Sequence, residues 1–80
     1  MDGTARPARE KAKDQSFTIE IDREDDGRWI AEIPGLPGVM VYGDTKLEAI
    51  SAVQALALRV LADRTEQQKE TMHSVVFACP

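Results

Sequence analysis

The run Asp22-Arg23-Glu24-Asp25-Asp26-Gly27 has the spacing closest to a metal-binding motif. Acids recur through it and glycine stands sixth, as in a helix-flanked calcium loop. The twelfth position, however, is Ile33, which offers no bidentate carboxylate to calcium. Both flanks alternate with period two, so the run reads as the tip of a hairpin. His73 is the sole histidine and Cys79 the sole cysteine. A catalytic histidine needs a nucleophile and an orienting group beside it, and the sequence indicates neither. Cys79 has no neighbouring cation that would favour its thiolate. One cysteine makes no internal disulfide, and no Cys/His spacing suits a metal. No cofactor is expected.

The remaining chemistry is that of binding. Glu20, Asp22, Glu24, Asp25 and Asp26 gather near one end of the hairpin, where they would steer a basic partner. Trp29, Leu36 and Tyr42 are candidate apolar anchors, since aromatic side chains are enriched at interface hot spots. With Glu32, the expected partner-binding set is Glu20, Asp22, Trp29, Glu32, Leu36 and Tyr42. The competing reading makes Trp29 a core residue and the acids a solvated face.

The elements that must hold these residues follow from local pattern. Phe17, Ile19 and Ile21 alternate with Thr18, Glu20 and Asp22, giving a strand with one apolar and one wet face. Asp25-Asp26-Gly27 turns the chain. Arg28 to Ile33 forms a second strand with Trp29, Ala31 and Ile33 on one face, ended by Pro34. Pro34-Gly35-Leu36-Pro37-Gly38 is a turn-rich connector. Val39 to Tyr42 forms a third strand, closed by Gly43. Thr45-Lys46-Leu47-Glu48 has capping-box spacing, with Asp44 as an alternative cap. A helix from Lys46 to about Ala62 carries Ile50, Val53, Ala57 and Val60 on one stripe, widened by Ala49, Ala52, Leu56 and Leu61. That width suits either a simple core or a seam with a second copy. Asp63 to Thr71 is a fraying end or a loop, and His73 to Ala78 a short last strand. The expected fold is α+β: a two-layer β-β-β-α-β unit with an antiparallel three-stranded meander, one packed helix and a short C-terminal strand. The last strand is free to join an edge of the sheet.

Composition bounds the function. Eighty residues make one domain, and one this small is marginal alone, so a homodimer or higher homo-oligomer is expected. The net charge is −4, unevenly placed. Residues 1–15 carry four Lys/Arg against three Asp/Glu and no bulky apolar side chain beyond Met1, and read as a disordered arm. Residues 16–80, the folded domain, carry six against eleven. Such an acidic body repels nucleic-acid phosphates. The polar start shows no signal peptide, and no segment is long and apolar enough to span a membrane. A reducing, cytoplasmic setting is expected from the cysteine usage.

Several pieces together resemble the N-terminal domain of HicB-like antitoxins. They are Phe17-Thr18-Ile19-Glu20-Ile21, the acidic turn with Gly27, Trp29-Ile30-Ala31-Glu32-Ile33, the Pro34-to-Gly38 loop, Gly43-Asp44-Thr45, and Glu48-Ala49 opening the helix. The likeness runs from Phe17 to Leu61, and the last strand fits it. It implies a partly degraded RNase H-like fold and assembly into dimers or larger forms. It also implies a partner: a small basic HicA-type toxin that cleaves messenger RNA with a histidine and whose active surface the antitoxin masks. Full-length members carry a C-terminal helix-turn-helix or ribbon-helix-helix module. This chain ends at Pro80 without one, so direct DNA binding is not expected.

A residual metal-dependent nuclease would need carboxylates converging on metal ions. By position in the implied fold the candidates are Glu20 or Asp22 with Glu48, but the last strand offers no carboxylate and Glu48 has a capping role. The function the resemblance implies is toxin neutralisation by binding, and catalysis is not expected. The alternative is a stand-alone oligomeric interaction or small-ligand scaffold without a toxin.

Overall fold

The computed structural model describes residues 12–79, in the order β1 (Ala12–Thr18), β2 (Glu20–Arg23), β3 (Trp29–Glu32), β4 (Met40–Gly43), α1 (Lys46–Gln68) and β5 (Thr71–Ala78). Among the described residues the architecture is α+β: a three-stranded antiparallel sheet β2-β3-β4, one helix and a C-terminal strand that pairs with β1. Residues 1–11 of the expected arm lie outside the described residues. Its residues 12–15 belong to β1, so the strand starts earlier than Ser16.

β1 and β2 are one strand interrupted at Ile19. Their alternation continues across the break, with Phe17 and Ile19 buried and Ile21 half-buried. β1 pairs in parallel with β5, and β2 pairs antiparallel with β3. The Ile19 N–H donates to the Ala78 carbonyl at 2.9 Å, which ties the end of β5 to the junction. The last strand thus joins the N-terminal extension of the first strand rather than the meander itself. A parallel neighbour needs a long crossover, and α1 supplies it.

The hairpin between β2 and β3 turns at Asp25-Asp26-Gly27, with Gly27 at φ +92°. The Gly27 N–H donates to the Glu24 carbonyl at 2.9 Å and the Glu24 N–H to the Arg28 carbonyl at 2.7 Å. Glycine adopts this left-handed conformation without a Cβ clash. The Pro34-to-Gly38 connector makes two successive turns. Leu36 N–H donates to the Ile33 carbonyl at 2.9 Å, and Val39 N–H to the Leu36 carbonyl at 3.0 Å. These turns tuck Leu36 inward.

The helix begins with the expected capping box. Thr45 Oγ1 accepts from the Glu48 N–H at 3.1 Å, and Glu48 Oε1 accepts from the Asp44 N–H at 3.2 Å. Ala49, Val53, Ala57 and Leu61 recur every fourth residue and are its buried face. Ile50, Leu56 and Val60 are half-buried flanks. The helix outruns the expected end near Ala62 by six residues. Arg64, Glu66, Gln67 and Gln68 are good helix formers, and Thr65 Oγ1 donates to the Leu61 carbonyl at 2.8 Å. Lys69 ends the helix in the left-handed conformation at φ 55°.

The core lies between this helix face and one side of the sheet. Phe17, Ile19, Ala31, Ile33, Leu36 and Val39 meet Ala49, Val53, Ala57 and Leu61. Burying each larger side chain stabilises the fold by roughly 1.5–3 kcal/mol. Among the described residues no buried side-chain polar atom lacks a partner, and no helix is long and apolar enough to cross a membrane.

Candidate functional site

Strand register decides which residues reach solvent. Ile21, Ala31 and Val41 form one cross-strand row, and Arg23, Trp29 and Gly43 the next. Both rows face α1. The opposite side carries the rows Glu20–Glu32–Met40 and Asp22–Ile30–Tyr42. No other element of the described chain packs over this outer side.

Glu20, Asp22, Glu32 and Tyr42 of the expected set therefore share one exposed face. Two members of the set do not join them. Leu36 is only 1% exposed and belongs to the core, because the double turn folds it under the sheet. Trp29 is half-buried on the helix-facing side, packed against the core, with the Arg23 guanidinium carbon 5.6 Å from its ring centroid. In their place the outer face gains Met40, 48% exposed, and the half-buried Ile30. Alternation about Val39 and Val41 would have placed Met40 beside Tyr42. What the sequence alone lacked was the register that sets Ile30 opposite Tyr42.

The face has a definite electrostatic character. Glu20 and Glu32 stand directly opposite one another, both exposed. Like charges so placed repel across the ladder, and among the described residues neither carboxylate has an ion-pair partner. Asp22 stands one row along, and Glu24 follows at the hairpin. Next to this acidic strip lies an apolar one of Ile30, Met40 and Tyr42. A partner that brings cations to the first strip and apolar side chains to the second would relieve the repulsion and cover the exposed carbon.

One internal cation borders the face. The Arg28 guanidinium carbon lies 4.3 Å from the Tyr42 ring centroid, a cation–π geometry. Asp26 holds it there: Asp26 Oδ2 accepts from Arg28 Nε at 2.8 Å, and Asp26 Oδ1 accepts from the Arg28 backbone N–H at 3.0 Å. The backbone hydrogen bond first, then the guanidinium, hold the Asp26 carboxyl below its ordinary value.

The other chemistry-bearing residues do not gather into a second site. Of the run from Asp22 to Gly27, Asp22 belongs to the outer face and the rest forms a strand end and hairpin tip, with Asp26 engaged by Arg28. Glu48 caps the helix and shares a cleft with Arg28 and Tyr42 at the margin of the face, without joining Glu20 and Asp22 in a carboxylate cluster. Among the described residues no group of three or more His, Cys, Asp or Glu is placed to hold a metal ion. His73 is exposed on β5 where the register with β1 skips a residue. Cys79 is exposed, its Sγ 3.5 Å from Gln54 Nε2.

Comparison with known proteins adds kinship. No family model matches the chain, and no solved structure matches it. A UPF0150 protein of Thermoplasma acidophilum is 30% identical over 54 residues, which cover 68% of this chain and 77% of that protein. With that share of the relative spanned at that identity, the chain belongs to the UPF0150 family.

Proposed function

We propose that the chain is a HicB-like antitoxin-type domain that neutralises a small basic HicA-type RNA-cleaving toxin by covering its active surface. The observation that carries this reading is the outer sheet face, where Glu20 opposes Glu32 beside the exposed Met40 and Tyr42. An RNA-cleaving enzyme must present a cationic surface to phosphates, and an acidic, partly apolar sheet complements such a surface. The kinship of UPF0150 proteins with HicB-like antitoxins supports the same reading. Binding, not catalysis, is the activity proposed, in the cytoplasm where the toxin's substrate is found. The acidic body is not a surface for direct DNA binding.

Co-expression with the basic chain of the neighbouring reading frame tests this. Relief of growth arrest together with co-purification supports the reading. Arrest that persists, with no co-purification, overturns it in favour of a stand-alone scaffold.

A further inference from the structure

β5 presents an open strand edge of unusual character. It is eight residues long and, among the described residues, pairs on one side alone, with β1. The Ile19 N–H bonded to the Ala78 carbonyl fixes which backbone groups point inward. In a parallel ladder alternate residues turn both polar groups to the same neighbour. Ser74, Val76 and Ala78 therefore face β1, and Val75 and Phe77 turn their N–H and C=O groups outward.

Proteins usually blunt such an edge with charge, proline or shortness. β4, at the far side of the meander, is only four residues long. β5 from Ser74 to Ala78 has neither a charge nor a proline. Exposed apolar side chains flank it in both layers. Val76, 54% exposed, points to the outer side of the sheet. Leu58, 51% exposed, lies on the same helical stripe as Gln54, which touches Cys79 just past the end of β5.

We propose that this edge pairs antiparallel with the β5 of a second copy, joining two sheets across a two-fold axis at Val76. Val75 then exchanges hydrogen bonds with Phe77 of the other copy and Phe77 with Val75. Val76 faces its own counterpart in the close, non-hydrogen-bonded position, and Leu58 of each helix covers the seam. Charge selects this occupant. Copies of a chain of net charge −4 repel most where their acidic faces meet, and this strand carries no Asp, Glu, Lys or Arg. A basic partner is steered instead to the acidic outer face, so the two surfaces have separate roles. The pairing does not depend on the toxin reading.

Two measurements on the full chain test the proposal. In sedimentation equilibrium at up to submillimolar concentration the chain is expected to dimerise, and Val76→Lys or Leu58→Glu to weaken the dimer about tenfold or more with an unchanged circular-dichroism spectrum. Disulfide trapping then reads the register in a Cys79→Ser background. Val76→Cys is expected to oxidise to a covalent dimer, because a non-hydrogen-bonded pair sets its Cα atoms about 4.5 Å apart. Ser74→Cys, which would face Ala78, is expected to remain uncrosslinked. A monomeric chain overturns the proposal and leaves the edge to a different protein. So does a dimer trapped equally at both positions, or one that neither surface substitution weakens. Because no toxin is present, failure here leaves the antitoxin reading standing.

Discussion

Glu20 and Glu32 are direct cross-strand neighbours on the outer face of the sheet, two exposed carboxylates in one rung of the β2–β3 ladder. Opposed like charges cost the free chain stability, and a cationic partner recovers that cost on binding. Replacing one of them by Lys should therefore separate stability from function. Glu32→Lys is expected to raise the unfolding free energy by about 0.2–1 kcal/mol while weakening capture of a basic partner. Urea denaturation and a pull-down on the same variant check both halves. A variant that loses both stability and binding would make Glu32 a structural residue instead.

Leu36 and Tyr42 should behave oppositely, because one is core and the other is surface. Leu36→Ala is expected to cost about 2–5 kcal/mol of stability through the cavity it leaves. Tyr42→Ala is expected to cost far less stability but to weaken partner binding. Thermal unfolding of the two variants, compared with their binding, distinguishes the roles.

Gly43 sets the sheet backbone close against the first turns of the helix. A Cβ at this position would lie 2.6 Å from the Ala49 nitrogen and 2.9 Å from its Cα. The obstructing atoms are backbone at the start of α1, so no side-chain rotation relieves the clash. Gly43→Ala is expected to destabilise by about 1–3 kcal/mol, measured by chemical denaturation. An unchanged midpoint would mean that α1 can lift from β4 freely.

The hairpin tip should respond to acid. Asp26 titrates below the ordinary carboxylate value because the Arg28 backbone N–H, then its guanidinium, favour the charged form. A depressed folded-state pKa contributes stability above the unfolded-state value that is lost as pH falls through the folded-state value. Side-chain NMR titration is expected to show Asp26 protonating below the reference value of 3.8. The Tyr42 ring resonances should shift in the same step as Arg28 is released. Asp26→Asn should remove that coupled shift.

Local pattern made the fold legible where side chains alternate or cap. Phe17, Ile19 and Ile21 declared a core-facing strand, Gly27 its turn, and Thr45 with Glu48 the helix start. The parallel pairing of β1 with β5 was not legible. Ala12 to Gln15 are polar or small and carry no period-two signal, and their strand form rests on backbone pairing to a distant segment. The site was half legible for a related reason. Alternation separates the Glu20 and Asp22 face from the Ile21 face, but only the folded loop shows that Leu36 turns inward. Trp29 alternates with Ile30, and the register gives the outer face to Ile30.

The central claim, that the outer sheet face captures a basic toxin, is tested most directly by titration calorimetry against the basic chain of the neighbouring reading frame. The wild-type chain and the Glu20→Lys/Glu32→Lys double variant would be compared at two salt concentrations. The account predicts tight binding by the wild type that weakens with salt, and binding by the folded double variant that is at least about tenfold weaker. Equal affinity of the two chains, with the same salt dependence, would contradict it.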